Sequence, residues 1–106
     1  MIAQTPQPPY YAVIFTSVRT SGDNGYAEIS DKMVELAKEQ DGFLGMESAR
    51  EELGITVSYW RDLEAIKHWK YNIDHTIARE LGREQWYSAF KTRISKVERD
   101  YDFLRK

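Results

Sequence analysis

Hydrophobic and polar positions along the chain switch between a two-residue and a three-to-four-residue period, and the switches outline its elements. From Tyr10 to Arg19 both alternating sets are largely apolar, with Tyr11, Val13 and Phe15 in one phase and Ala12, Ile14 and Val18 in the other. A strand of this kind is covered on both sides. The turn formers Thr20-Ser21-Gly22-Asp23-Asn24-Gly25 follow. Tyr26, Ile29, Met33, Leu36 and Ala37 then recur at helical spacing, with charged residues between them, and predict an amphipathic helix that ends at Asp41-Gly42. Met33 reads as a core side chain filling a gap in that stripe.

Phe43 to Arg50 and Ile55 to Trp60 read as two strands joined by Glu51-Glu52-Leu53-Gly54, which predicts an antiparallel hairpin. Asp62 is placed to cap a helix carrying Ile66, Trp69 and Ile73. A break is expected near Asn72-Ile73-Asp74, and then a second short helix with Ile77, Ala78, Leu81 and Gly82. Ser88 to Tyr101 reads as a long strand whose phase slips near Ser95-Lys96, which suggests a bulge there. Residues 1–9 hold Pro6, Pro8 and Pro9 and read as a flexible leader; residues 10–106 form one domain.

The order strand, helix, strand, strand, helices, strand is the α+β, ferredoxin-like βαββαβ pattern with a four-stranded antiparallel sheet. Its helices cover one sheet face only. The first strand still offers apolar side chains to the other face, where Leu44, Met46 or Phe43, and Tyr59 join them. A large bare apolar face is unusual on a monomer, and a two-fold related second copy would bury it. A homodimer with facing sheets and an aromatic-lined cavity is therefore expected.

Composition narrows the chemistry. The 106 residues carry 15 Lys plus Arg against 17 Asp plus Glu, a net charge of -2, so charge gives no case for binding nucleic acid or an anionic membrane. There is no cysteine, which excludes disulfides and thiol chemistry and fits a reducing compartment. No apolar run reaches the roughly 20 residues that span a bilayer, and no signal-peptide pattern opens the chain, so a cytoplasmic location is expected. No glycine-rich phosphate loop or nucleophile elbow is present. His68 and His75 without a third ligand make a weak metal case, so no metal site is expected.

All three tryptophans and both histidines fall between Ile55 and Tyr87. Val57-Ser58-Tyr59-Trp60-Arg61-Asp62, then Ala65-Ile66-Lys67-His68-Trp69, Asp74-His75, Leu81 to Tyr87 and Val97-Glu98-Arg99-Asp100-Tyr101 together resemble the antibiotic biosynthesis monooxygenase superfamily, the dimeric α/β barrels. The resemblance spans nearly the whole chain after the leader. In members that oxidise polycyclic phenols to quinones without metal or flavin, the tryptophan matching Trp69 lines the pocket, with an asparagine four residues earlier and a tyrosine six later. This chain has Ala65 and His75 at those places.

The resemblance implies a cofactor-independent monooxygenase acting on a small aromatic or quinol-type molecule. Trp69 would stack on the substrate and His75 would act as base or hydrogen-bond partner, since an imidazole titrates near neutrality. Phe15, Met46 and Tyr59 would line the cavity, and no cofactor is implied. An arginine used by some quinone-forming relatives is not assigned among Arg50, Arg79 and Arg93.

On residue type alone, Trp69 also reads as a core aromatic and His75 as a surface or capping residue; His68 reads as solvent-facing, and Trp60 and Trp86 as structural. A non-catalytic barrel that binds a small hydrophobic ligand is the alternative function. Haem breakdown, a third reading, is disfavoured: the matching members carry an asparagine on the first strand and a histidine ten residues beyond the tryptophan. Here the first strand has no asparagine, and the position ten beyond Trp69 is Arg79, which cannot ligate iron.

Overall fold

Four strands and two long helices form in the expected order in the computed structural model, which describes residues 1–79 and 83–105, without the side chains of residues 75–79, 83 and 84. The strands are β1 (Tyr10–Arg19), β2 (Phe43–Arg50), β3 (Leu53–Trp60) and β4 (Tyr87–Val97); the helices are α1 (Tyr26–Glu39), α2 (Leu63–Arg79) and a short α3 (Arg83–Trp86). The sheet order is β2-β3-β1-β4, with every neighbouring pair antiparallel. This is the ferredoxin-like α+β arrangement. Among the described residues no helix is long and apolar enough to cross a membrane.

Local chemistry explains the helix starts. The Asp23 carboxylate accepts from the backbone N–H of Gly25 at 3.0 Å and of Ala27 at 3.2 Å, holding the first turn of α1. At α2 the Asp62 carboxylate accepts from the Ala65 N–H at 2.8 Å, as its capping position predicts. That bond, with the Arg61 guanidinium 3.2 Å away, holds the Asp62 carboxyl below its ordinary range. Gly42 then brings the start of β2 against α2. Its φ is 89°, and a Cβ placed there would lie 2.7 Å from the Ala65 Cβ.

Two sequence expectations are corrected. α2 runs unbroken through Asn72, Ile73 and Asp74. Their polar groups are engaged without leaving the helix: Asn72 Nδ2 donates to Gln40 Oε1, just past α1, at 3.1 Å, and Lys70 reaches Asp74, one turn on in α2, at 2.9 Å. The register of β4 slips opposite Val18 and Arg19, where Ala89 and Tyr87 are the partners, and not near Ser95-Lys96. Tyr101 lies beyond the end of β4. The part of the expected second helix at Leu81 and Gly82 lies outside the described residues, as do the side chains of Ile77 and Ala78.

The core has two centres. Val13, Ala37, Trp60, Ala65 and Ile66 form one, with Tyr11, Phe43, Met46 and Trp69 packed against it. Ile29, Trp86 and Tyr87 form the other, with Phe15, Tyr26, Met33 and Ile73 around it. Trp60 and Trp86 are buried, in line with the structural reading of both.

Candidate functional site

The two faces of the sheet have opposite characters, and β3 shows why. Its residues Leu53, Ile55, Val57 and Tyr59 point to the side without helices, whereas Gly54, Thr56, Ser58 and Trp60 point toward the helices. The polar phase of the strand is therefore the covered one. Register extends the pattern into rows across all four strands. Met46, Ser58, Val13 and Ile94 form one row, Ser48, Thr56, Phe15 and Thr92 the next, and Arg50, Gly54, Ser17 and Phe90 the last. Ser17 and Ser58 are buried and Thr56 half-buried on this face, while Ser48, Arg50, Phe90, Thr92 and Ile94 toward its edges are exposed, so a buried polar centre with open margins is chemically suited to a ligand with polar substituents.

Trp69 meets this floor from α2. Ala65, Ile66, Trp69 and Ile73 recur at helical spacing, and the Trp69 ring lies 4.8 Å from that of Trp60 at an interplanar angle of 31°. The two indoles differ in one respect. Trp60 Nε1 donates to Ser58 Oγ at 2.9 Å, while Trp69 Nε1 is buried with no partner among the described residues. A buried donor without an acceptor is costly in a resting fold, and it is what a ligand oxygen would satisfy.

At the far end of the floor an aromatic group closes around Tyr87. Phe15 stands edge-on to Tyr87 at 5.5 Å and lies 5.4 Å from Phe90, and Tyr26 meets Tyr87 edge-on at 5.7 Å. The Tyr87 hydroxyl donates to that of Tyr26 at 3.4 Å. Burial, with the Tyr26 bond second, raises the Tyr87 pKa and keeps it a neutral phenol. The Arg19 guanidinium lies 3.5 Å above the Tyr26 ring.

The sequence-predicted residues are thus divided by the sheet. Trp69, Phe15 and Met46 lie on the helix side. Tyr59 lies on the opposite face, so it does not share a cavity with them; strand alternation places it beside Val57 and Ile55. Its hydroxyl donates to Glu47 Oε1 at 2.6 Å, and burial together with that carboxylate raises its pKa to about 12. Met46 and Phe43, expected as candidates for the bare face, also face the helices. The His75 and Arg79 side chains lie outside the described residues. Arg93 sits across from Ile14, on the side without helices. His68 is exposed and borders an open charged cleft of about 390 Å³ with Asp41, Arg61, Asp62 and Glu64. Among the described residues no cluster of three or more potential metal ligands occurs.

Sequence reasoning passed over Ser17, Ser58 and Thr56, and left Arg50 unassigned beside Arg79 and Arg93. The available signal was the polar phase of Gly54-Ile55-Thr56-Val57-Ser58, which suggests a solvent-facing edge until both strand neighbours are known.

The side away from the helices holds a partly open apolar strip. Leu53 is 51% exposed, Ile55 42% and Val18 40%, with Ile14 and Val57 half-buried between them. One end of this face is covered by the leader. The Ala3 N–H donates to Glu47 at 3.0 Å, Thr5 Oγ1 donates to the Tyr10 hydroxyl at 3.0 Å, and that hydroxyl donates to Asp100.

Comparison with known proteins gives a consistent picture. Residues 9–81 match the family model described as antibiotic biosynthesis monooxygenase. The protein YqjZ of Bacillus subtilis strain 168, itself uncharacterized, is 51% identical over 100 residues, covering 92% of this chain and 88% of its own. Among solved structures, PA3566 from Pseudomonas aeruginosa aligns with a TM-score of 0.66 at 19% identity, over 91% of this chain and 99% of that one. SnoaB, a cofactor-independent oxygenase from Streptomyces nogalater, aligns with a TM-score of 0.64 at 10% identity, over 92% of this chain and 100% of its own. At these identities the structural likenesses establish the fold.

Proposed function

The chain belongs to the antibiotic biosynthesis monooxygenase family, and from that premise we infer that it is a cytoplasmic homodimeric oxygenase that uses molecular oxygen on a small aromatic or quinol-type substrate without a bound cofactor. One observation carries the reading: the buried Trp69 N–H, without a partner among the described residues, against the polar centre of the helix-side sheet face. A substrate oxygen accepts from it while the ring lies near the Trp60–Trp69 pair. His75, six residues further along α2, is the proposed base.

The chemistry asks little of the protein beyond a proton acceptor and a shielded site. Loss of a proton converts a phenol or an anthrone-like methylene into an electron-rich anion that gives an electron to oxygen. For a methylene substrate, one oxygen atom becomes the product carbonyl and the other leaves as water with the two hydrogens. Trp69 orients the anion by hydrogen bond and stacking, and the apolar wall of Phe15 and Met46 excludes water from it.

The homodimer is supported by the strip of Val18, Leu53, Ile55 and Val57, which a second copy would cover beside the leader. The two active floors would then lie on the outer, helix-bearing sides of the paired sheets.

Oxygen uptake by metal-free protein on anthrones, naphthoquinols and simpler hydroquinones, corrected for autoxidation, tests the function. Saturable uptake that falls in Trp69→Phe and His75→Ala is expected. Uptake no greater than autoxidation, or unchanged in both variants, would overturn it. Ala65, buried where quinone-forming members carry an asparagine, favours a second reading, a barrel that binds a hydrophobic ligand without turnover. A ligand retained through purification with no oxygen consumption would select that reading.

A further inference from the structure

The last row of the helix-side face, exposed at Arg50 and Phe90 and buried at Gly54 and Ser17, is built around an arginine that turns back across the sheet. Arg50, Gly54, Ser17 and Phe90 face one another across β2, β3, β1 and β4. Arg50 does not extend away from its strand. Its Nη2 donates to Ser17 Oγ and its Nη1 to the Ser17 carbonyl at 3.5 Å, so the guanidinium crosses the whole width of β3.

Two residue choices permit this. Gly54 is buried in mid-strand, and a Cβ there would occupy the space taken by the guanidinium. Ser17 is 2% exposed, and its hydroxyl receives the arginine where the register otherwise continues Tyr11, Val13 and Phe15. A glycine in a strand interior weakens it, and a buried serine needs a partner, so both choices carry a cost that the inward arginine explains.

The guanidinium ends with unused capacity. It has five N–H donors, of which Ser17 takes two, and among the described residues no carboxylate pairs with it. It lies over β1, one strand spacing of about 4.8 Å from the strand of Phe90 and two residues, roughly 7 Å, from Phe15. Phe15, Phe90 and Tyr87 form a ring cluster with centroids 5.4 to 5.8 Å apart, and Phe90 is 42% exposed. An apolar aromatic wall beside a cation without an acid is a recognition pair for one kind of molecule.

We propose that Arg50 is a specificity-determining residue, and that this end of the floor takes an aromatic ligand carrying an ionised acidic oxygen, a carboxylate or a phenolate, which pairs with the guanidinium while the ring packs on Phe15 and Phe90. The inference rests on the covered face being the ligand site, and it adds the charge of the ligand to that reading. Arginine suits the task because its planar fork meets two oxygens at once and stays protonated.

Calorimetric binding tests this without turnover. The carboxylate arm compares 2-naphthoate with neutral 2-naphthalenemethanol; the phenolate arm compares 4-nitrophenol, at mildly alkaline pH where it is ionised, with 4-nitroanisole. The anion is expected to bind about tenfold more tightly than its neutral partner in at least one arm, the preference a single charge-assisted contact supplies. Arg50→Met abolishes the preference and leaves the neutral affinity in place. Gly54→Ala, which keeps the arginine but displaces it, lowers the preference too.

No preference in either arm of wild-type protein, no binding of either anion, or a preference that survives Arg50→Met would each overturn the assignment. The oxygenase reading stands or falls separately. Anion preference without oxygen uptake on any quinol removes that reading and keeps this one, while uptake with KM unmoved by Arg50→Met does the reverse.

Discussion

Trp60 and Trp69 are neighbouring rings, half a nanometre apart, with different fates for their N–H groups, and replacing each by phenylalanine separates a structural indole from a ligand-binding one. Loss of the pyrrole part of an indole removes roughly 40 Å³ of packing, which at about 24 cal/mol per Å³ costs about 1 kcal/mol. Lost apolar burial adds about 1 kcal/mol. In Trp60→Phe nothing offsets these, and Ser58 Oγ loses the donor now 2.9 Å away, so the expected destabilisation is about 3 kcal/mol. In Trp69→Phe the substitution also removes a buried donor that has no partner among the described residues, which returns about 1–3 kcal/mol. The net change is expected to lie within about 1 kcal/mol of zero.

Urea unfolding followed by circular dichroism reads both, with an unchanged slope required so that midpoint shifts report stability. The combination expected of Trp69→Phe is a fold as stable as wild type with weakened substrate binding. A loss in Trp69→Phe equal to that in Trp60→Phe would refute the reasoning, because it would mean that the Trp69 N–H is satisfied in the resting fold.

Gly42→Ala adds a Cβ 2.7 Å from that of Ala65 at a φ of 89°, and about 2–4 kcal/mol of stability is expected to be lost in the same urea assay. Glu47 has its pKa lowered from 4.5, first by the Tyr59 hydroxyl and then by the Ala3 N–H, so its contribution is full above about pH 4.5 and is lost as pH falls through the lower folded value. Tyr59 is raised from 10.0 to about 12, so its contribution is full below pH 10 and fades as pH climbs toward 12; Glu47→Gln should flatten the acid limb of a stability profile. Ile55→Glu places a charge in the middle of the bare apolar strip and is expected to give a monomer in sedimentation equilibrium, with the fold intact by circular dichroism.

The elements that sequence places well are those whose signals are local. The period of β1, the spacing of Tyr26 to Ala37 and the cap at Asp62 depend on residues within a few positions of each other, and the structure has them where the pattern puts them. The break expected at Asn72-Ile73-Asp74 was a local inference overridden from a distance, since Gln40, on the segment after α1, supplies the hydrogen bond that lets Asn72 stay in the helix. Alternation within single strands groups Tyr59 with Phe15 and Met46 on the sheet face away from the helices. Which of them share a face depends on the register of three strands and on a shift between Phe43 and Gly45, and neither is written in any one segment.

The same register connects the proposed dimer and the proposed site. A strand that pointed Leu53, Ile55, Val57 and Tyr59 toward the helices would give an ordinary core and a polar outer face, and the chain would have no reason to associate and no polar floor. With β3 in the opposite phase, apolar surface is left outside, where a second copy would remove it from water. Hydroxyls, the Trp69 N–H, which has no partner among the described residues, and the Arg50 guanidinium are gathered on the helix side. Both arrangements follow from one choice of phase, so shifting the Tyr59 side to polar residues should weaken association while leaving the ligand floor formed. Changes to Ser17, Gly54 or Ser58 should alter binding without changing the association state. The faces are coupled in sequence and separable in function.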